Sequence, residues 1–223
     1  ASTTAVSIGS QVMHMITVML VGLAMGTTVT IGRAVGAENR PHAAKLIGNT
    51  VTLFLTGSVV LAAVLVGLVD PIVRLVSVPQ EAVAGTRMYL IICFIGIPCI
   101  TAYNILASIF RGLGDSKSPM YFIAIACASN IVLDYLFMGA LHLGPAGAAL
   151  GTTLSQLVSV VISLAVILRR RSGVRPAKAD FKPEKSTLGE ILAIGVPVML
   201  QDGFIQVSFM IITIIANQRG LTD

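Results

Sequence analysis

The sequence predicts an all-α polytopic membrane protein, and three observations carry that prediction. Apolar residues make up 55% of the chain and charged residues only 11%, with a mean hydropathy of +0.90. A soluble domain carries about 25% charged residues. Six apolar runs are long enough to cross a hydrocarbon core, which takes about 20 helical residues. The basic residues then fall in alternate loops between those runs.

The runs lie near 5–31, 44–68, 88–110, 119–141, 145–168 and 188–216. Helices are expected throughout, because a lipid-exposed backbone must satisfy its own hydrogen bonds and no alternating strands of barrel length appear. The first run begins almost at Ala1 and closes at the polar loop 32–43, from which the second starts. Pro71 and Pro79 mark the 69–87 connection ahead of the third run. Ser118–Pro119 opens the fourth, and Gly144–Pro145 the fifth. The stretch 169–187, RRRSGVRPAKADFKPEKST, separates the sixth and reads as a flexible basic linker that anchors topology.

Twelve of the 15 Lys and Arg residues lie on one side of this arrangement, in the loops 32–43 and 111–118, the 169–187 stretch and the helix ends beside them. Only Arg74, Arg87 and Arg219 lie on the other. The positive-inside rule places the first set in the cytoplasm. Both ends of the chain then fall outside, so an odd number of spans is expected upstream of Ala1. The net charge of +5 is spread through short loops and is not a nucleic-acid footprint.

Within the spans, polar residues recur at helical spacing. The first run has Thr3, Ser7, Ser10, His14 and Thr17 on one face, with Gln11 beside them. The second has Asn49, Thr52 and Thr56; the third Thr101, Asn104 and Ser108; the fifth Thr152, Gln156, Ser159 and Ser163. Such stripes turn toward neighbouring helices or a wet cavity. In the sixth run Asp202 lies beside Gln201 and one turn before Gln206, and Pro197 is expected to kink or loosen that helix. Gln11, His14, Asn104, Gln156, Asp202 and Gln206 are the candidates for lining a substrate cavity.

The sharpest signal is Asp134, inside the fourth run and four residues after Asn130. An Asp at mid-bilayer costs about 2.5–3.5 kcal/mol on insertion scales. It is retained mainly where it handles an ion, a proton or a charged substrate. Asn130 and Asp134 share one helix face. With hydroxyls such as Thr152 or Thr153 they form a hard-oxygen set suited to a small cation; the carboxylate alone suits a proton.

Other chemistries find no support. Cys93, Cys99 and Cys127 lie in apolar runs without paired spacing, as buried structural thiols do. The string GDSKS at 114–118 lacks the spacing of a phosphate loop. No Ser/His/Asp set or paired-His metal motif is visible, so an enzyme is not expected. The glycine pairs Gly22/Gly26, Gly32/Gly36 and Gly147/Gly151, each four residues apart, allow close helix approach.

Two loop strings point to a family. GRAVGAENR at 32–40 and RGLGDSKSPM at 111–120, together with Gly195-Val-Pro197 and Leu200-Gln201, resemble the multidrug and toxic compound extrusion (MATE) family over essentially the whole chain. The resemblance implies a partial piece of a two-lobe, twelve-helix transporter. Residues 1–168 would be the N-terminal lobe without its first helix, 169–187 the linker, and 188–223 the first helix of the C-terminal lobe. It implies multidrug efflux by antiport: small organic cations leave a cell (inner or plasma) membrane in exchange for Na⁺ or H⁺, by alternating access. Asp134, Asn130 and Thr152 match the family's first-lobe cation site, which takes a further carboxylate from helix one. Where some members carry a Glu on helix seven, this chain has Ile205 or Gln206. Nothing beyond the coupling ion is expected as cofactor, and a monomer suffices because both lobes belong to one chain. The alternative is a lipid-linked oligosaccharide or lipid-precursor flippase of related architecture, but no span has a basic residue at its centre to meet phosphates.

Overall fold

The computed structural model describes residues 2–169 and 174–219. Arg170 and Arg171 of the basic stretch lie outside them, as does the side chain of Arg219. Among these residues eight α-helices follow in order: α1 Ser2–Gly36, α2 Arg40–Gly67, α3 Val69–Leu75, α4 Val83–Ile95, α5 Ile97–Gly112, α6 Lys117–Asp134, α7 Gly144–Arg169 and α8 Lys185–Arg219. No strand occurs among the described residues. Among the described residues five helices are long and apolar enough to cross a bilayer, and α4 with α5 makes a sixth when taken as one broken span. Large apolar side chains such as Val59, Val60, Ile131 and Val132 point outward, as in a protein whose solvent is lipid.

The third expected span is not one straight helix. It starts earlier, with a 3₁₀ turn at Gln80–Ala82, and bends by 48° between α4 and α5. The sequence Gly96-Ile97-Pro98 accounts for the bend. Pro98 has no N–H to offer the carbonyl one turn back. Gly96 carries no side chain, and Thr153 of α7 packs into that gap, 2.7 Å (Oγ1) from where a Cβ would stand. The fourth span also changes register near its end, passing from α6 into a π-helical turn at Tyr135–Ala140.

α1 is the central post, packed along α8, α5, α4 and α2, while α7 packs on α6, α4 and α5. In lipid no hydrophobic force pulls helices together, so close packing and interhelical hydrogen bonds must do so. Both are present. Thr27 pairs with Thr50 of α2 (3.3 Å), Thr28 donates to the Ser108 carbonyl of α5 (3.2 Å), and Ser159 of α7 donates to the Phe122 carbonyl of α6 (3.1 Å). Glycine seams set the closest approaches. Gly26 of α1 meets the Ile191 carbonyl and Gly195 of α8, and Gly195 meets the Leu23 carbonyl; a Cβ at either would strike backbone. Pro197 stands inside α8, and the helix continues through it.

The two loop strings have structural work. In the 111–120 string, Asp115 caps α6, its carboxylate accepting from the backbone N–H groups of Lys117 (3.1 Å) and Ser118 (3.0 Å) and from the Ser118 hydroxyl (2.6 Å). Gly114 beside it takes φ +87°, a conformation suited to glycine. In the 32–40 string, Asn39 accepts from the His42 N–H at the start of α2 (3.3 Å).

The basic linker departs most from expectation. Over its described part it is a docked strap rather than a flexible tether. A 3₁₀ turn at Lys178–Phe181 lies against α2. Asn49, 1% exposed, donates to the Asp180 carbonyl (3.1 Å) and accepts from the Glu184 N–H (2.8 Å). Thr52 donates to the Phe181 carbonyl (2.7 Å). Gly48 leaves room for the Asp180 backbone, which a Cβ there would strike. Lys45–Glu184 (3.3 Å) and His42–Glu190 (3.0 Å) tie the start of α8 to α2. Asn49 and Thr52 therefore serve the strap and not a cavity, and Thr56 is exposed.

Candidate functional site

Asp134 is the last α-helical residue of α6, immediately before the π turn. A π turn widens the helix and leaves some carbonyls without their usual partners, and such turns gather at functional sites. Here the Leu141 N–H reaches five residues back to Leu136 (3.0 Å). The wider turn and the glycines of α7 fit together. Gly147 lies against the backbone and Cβ of Phe137, and Gly151 lies against Asp134 itself. A Cβ on Gly151 would collide with Asp134 Oδ1, so the bare glycine makes room for the carboxylate. The Gly147/Gly151 pair, a weak signal in the sequence, is the seam that seats Asp134.

Asn130 and Asp134 face each other as their spacing requires, with Asn130 Nδ2 3.5 Å from Asp134 Oδ1. That is a long contact, at the outer edge of hydrogen-bond geometry. Thr152 follows Gly151 directly on α7. Its hydroxyl donates to the Ala148 carbonyl (3.0 Å), which leaves the oxygen lone pairs for a cation. Asp134 is half-buried and lines an open concavity of about 490 Å³ with Ile131, Tyr135, Met138 and Gly139. Amide and carboxylate meet here, and the Thr152 hydroxyl lies on the facing helix, bonded to its own turn. That chemistry fits a small hard cation with water completing its shell, and the carboxylate alone accepts a proton.

One packing contact was missed in the sequence: Tyr89 of α4, 5% exposed, lies over Gly9 of α1. A lone tyrosine in an apolar run has no period to reveal it.

The six cavity candidates do not gather into one described pocket. Gln11 and His14 lie on an exposed face of α1, in line with Thr3, Ser7 and Ser10. Asn104 donates to the Ile100 carbonyl on its own helix (2.8 Å). Gln156 has a buried side-chain oxygen with no partner in the described structure. Asp202 is half-buried against α1, its carboxylate 2.6 Å from where a Cβ on Gly22 would stand, and Gln206 is half-buried one turn on. Among the described residues no three His, Cys, Asp or Glu side chains converge.

The family model MatE matches residues 1–136. A curated relative, the probable multidrug resistance protein YpnP of Bacillus subtilis, is 30% identical over 217 residues, 97% of this chain and 48% of its own. Among solved structures, one described as the inward-facing conformation of a multidrug resistance MATE family transporter aligns with a TM-score of 0.86 and 28% identity, over 92% of this chain and 47% of that one. An outward-facing conformation aligns at 0.83 and 29% identity, over 89% of this chain and 44% of that one. The chain spans about half the length of the relatives it matches.

Proposed function

This chain belongs to the MatE family, and from that premise we propose that it carries the coupling half of a multidrug exporter. The exporter moves small organic cations out across the cell membrane in exchange for Na⁺ or H⁺. The loops near 32–43 and 111–118 and the strap are its cytoplasmic face, and it works as a monomer. One observation carries the reading: a carboxylate inside a membrane span, paired with an amide and seated against a glycine at an α-to-π junction.

Asp134 loads the ion from outside. Asn130 turns its amide oxygen, and Thr152 its hydroxyl oxygen, toward a sodium ion; a proton needs only the carboxylate. Loading removes the net charge of Asp134 and so changes which packing of α6 on α7 is favoured, by as much as the ion's affinity differs between the two arrangements. The open polar face of α1, with Gln11 and His14, and the half-buried Asp202 and Gln206 of α8 offer the surface a substrate would meet. Asn104 and Gln156, half-buried on α5 and α7, add polar groups to the cavity.

The test is dye transport. Everted vesicles holding the intact protein take up a fluorescent cationic dye under an imposed Na⁺ or proton gradient, each applied alone. Uptake under one gradient names the ion. No movement under either would remove the export reading.

A further inference from the structure

The docked strap has a second consequence, which needs only that the chain is embedded in a membrane and does not rest on the transport reading. Its acidic groups are engaged within the fold. Asp180 accepts from the Ala177 N–H (2.7 Å), Glu184 pairs with Lys45 and accepts from Ser186, and Glu190 pairs with His42. Its basic groups are left over. Arg175, Lys178, Lys182 and Lys185 are all exposed, with no carboxylate partner among the described residues. The strap is thus a fixed row of cations, and its own acids do not cancel the charge.

Its depth matters as much as its charge. Phe181 hangs from Thr52, seven residues into α2 beyond Lys45, which is about 10 Å along the helix axis. Phe181 remains 38% exposed there. An aromatic ring held just inside the end of a membrane span, flanked by lysines, has the pattern of an interfacial anchor. The ring sits at the acyl boundary while the ammonium groups reach back to the headgroups. Clusters of basic residues beside a span attract anionic lipid, and the attraction falls off within a Debye length of the surface.

We propose that the strap at residues 174–185 is a docking surface for anionic phospholipid, with Lys178, Lys182 and Lys185 on headgroup phosphates and the Phe181 ring at the acyl boundary. Anionic lipid then holds the strap, and through Asn49 and Glu184 the joint between α2 and α8, in register.

The chain contains no tryptophan, so Phe181→Trp gives a local fluorescent reporter, read as the difference from the same protein with Phe181. The protein is placed in nanodiscs of phosphatidylcholine with a minority of phosphatidylglycerol, with bromine on the acyl chains of one lipid or the other. Stronger quenching by brominated phosphatidylglycerol at equal mole fraction is expected. Replacing Lys178, Lys182 and Lys185 by Gln should weaken that preference about tenfold or more. Equal quenching by both lipids, or a preference that survives the triple replacement, overturns the proposal. Abolition of the preference by soluble glycerol phosphate would instead assign a free phosphate site and overturn it too. Binding of a soluble acidic peptide or nucleic acid that the triple replacement abolishes, with lipid quenching unbiased, would assign a different partner and overturn the proposal.

Discussion

The carboxylate of Asp134 lies against the bare Cα of Gly151 across the α6–α7 seam, with no room for a methyl group between them. This relationship links a costly charge in a span to a glycine that looks unremarkable on its own. Asn130 approaches the same carboxylate from one turn back, and Thr152 stands next to the glycine. The site is therefore built across a helix pair in which the bare glycine at position 151 leaves the room the carboxylate occupies.

Gly151→Ala should disturb this seam directly. The added methyl would meet Asp134 Oδ1 and the α6 backbone. Overpacking of this kind costs about 1–3 kcal/mol. Thermal unfolding in detergent should show a clear fall in Tm, with ion-coupled uptake reduced further than the loss of folded protein explains. An unchanged Tm would mean that the Asp134 carboxylate swings aside at no cost.

Thr152→Ala should act on coupling more than on stability. The hydroxyl bonds its own helix, and intramembrane hydrogen bonds contribute only about 0.6 kcal/mol on average. Tm should barely move, while the Na⁺ concentration giving half-maximal coupling rises several-fold. Thr152→Ser should restore it. If the coupling ion is H⁺, both variants should transport as wild type.

Asn49→Ala should release the strap. Its amide makes two of the three hydrogen bonds from α2 side chains to the backbone of residues 180–184. Leaving such buried partners unsatisfied costs about 1–3 kcal/mol per group. Limited proteolysis should cut within 174–184 much faster than in wild type. Protection equal to wild type would show that the Lys45–Glu184 and His42–Glu190 pairs hold the strap without it.

Much of this was legible in the sequence, for physical reasons that differ by element. Span length and apolarity are summed over many residues, so the helices and their membrane setting could be read directly. The i, i+4 spacing of Asn130 and Asp134 forces them onto one face in any α-helix, and the structure keeps it. The bend at Gly96 was written in Gly96-Ile97-Pro98, but its partner Thr153 lies far along the chain. The strap was least legible. Its composition is that of a flexible linker, and its order comes from Asn49 and Thr52, more than a hundred residues earlier. Those two residues share their periodicity with residues that line cavities, so spacing alone pointed the wrong way. The glycine pairs matched a pattern common to membrane helices, and their specific work shows only in their neighbours, as at Gly26 and Gly151.

Asp134→Asn, run beside wild type in gradient-driven dye uptake, tests the central claim most directly. The variant keeps the shape that fits Gly151 and removes an intramembrane carboxylate whose presence costs about 2.5–3.5 kcal/mol. It should therefore fold as well as wild type or better, as judged by Tm, and lose gradient-driven uptake altogether. A variant that folds and still exports dye at the wild-type rate under the same gradient would contradict the account.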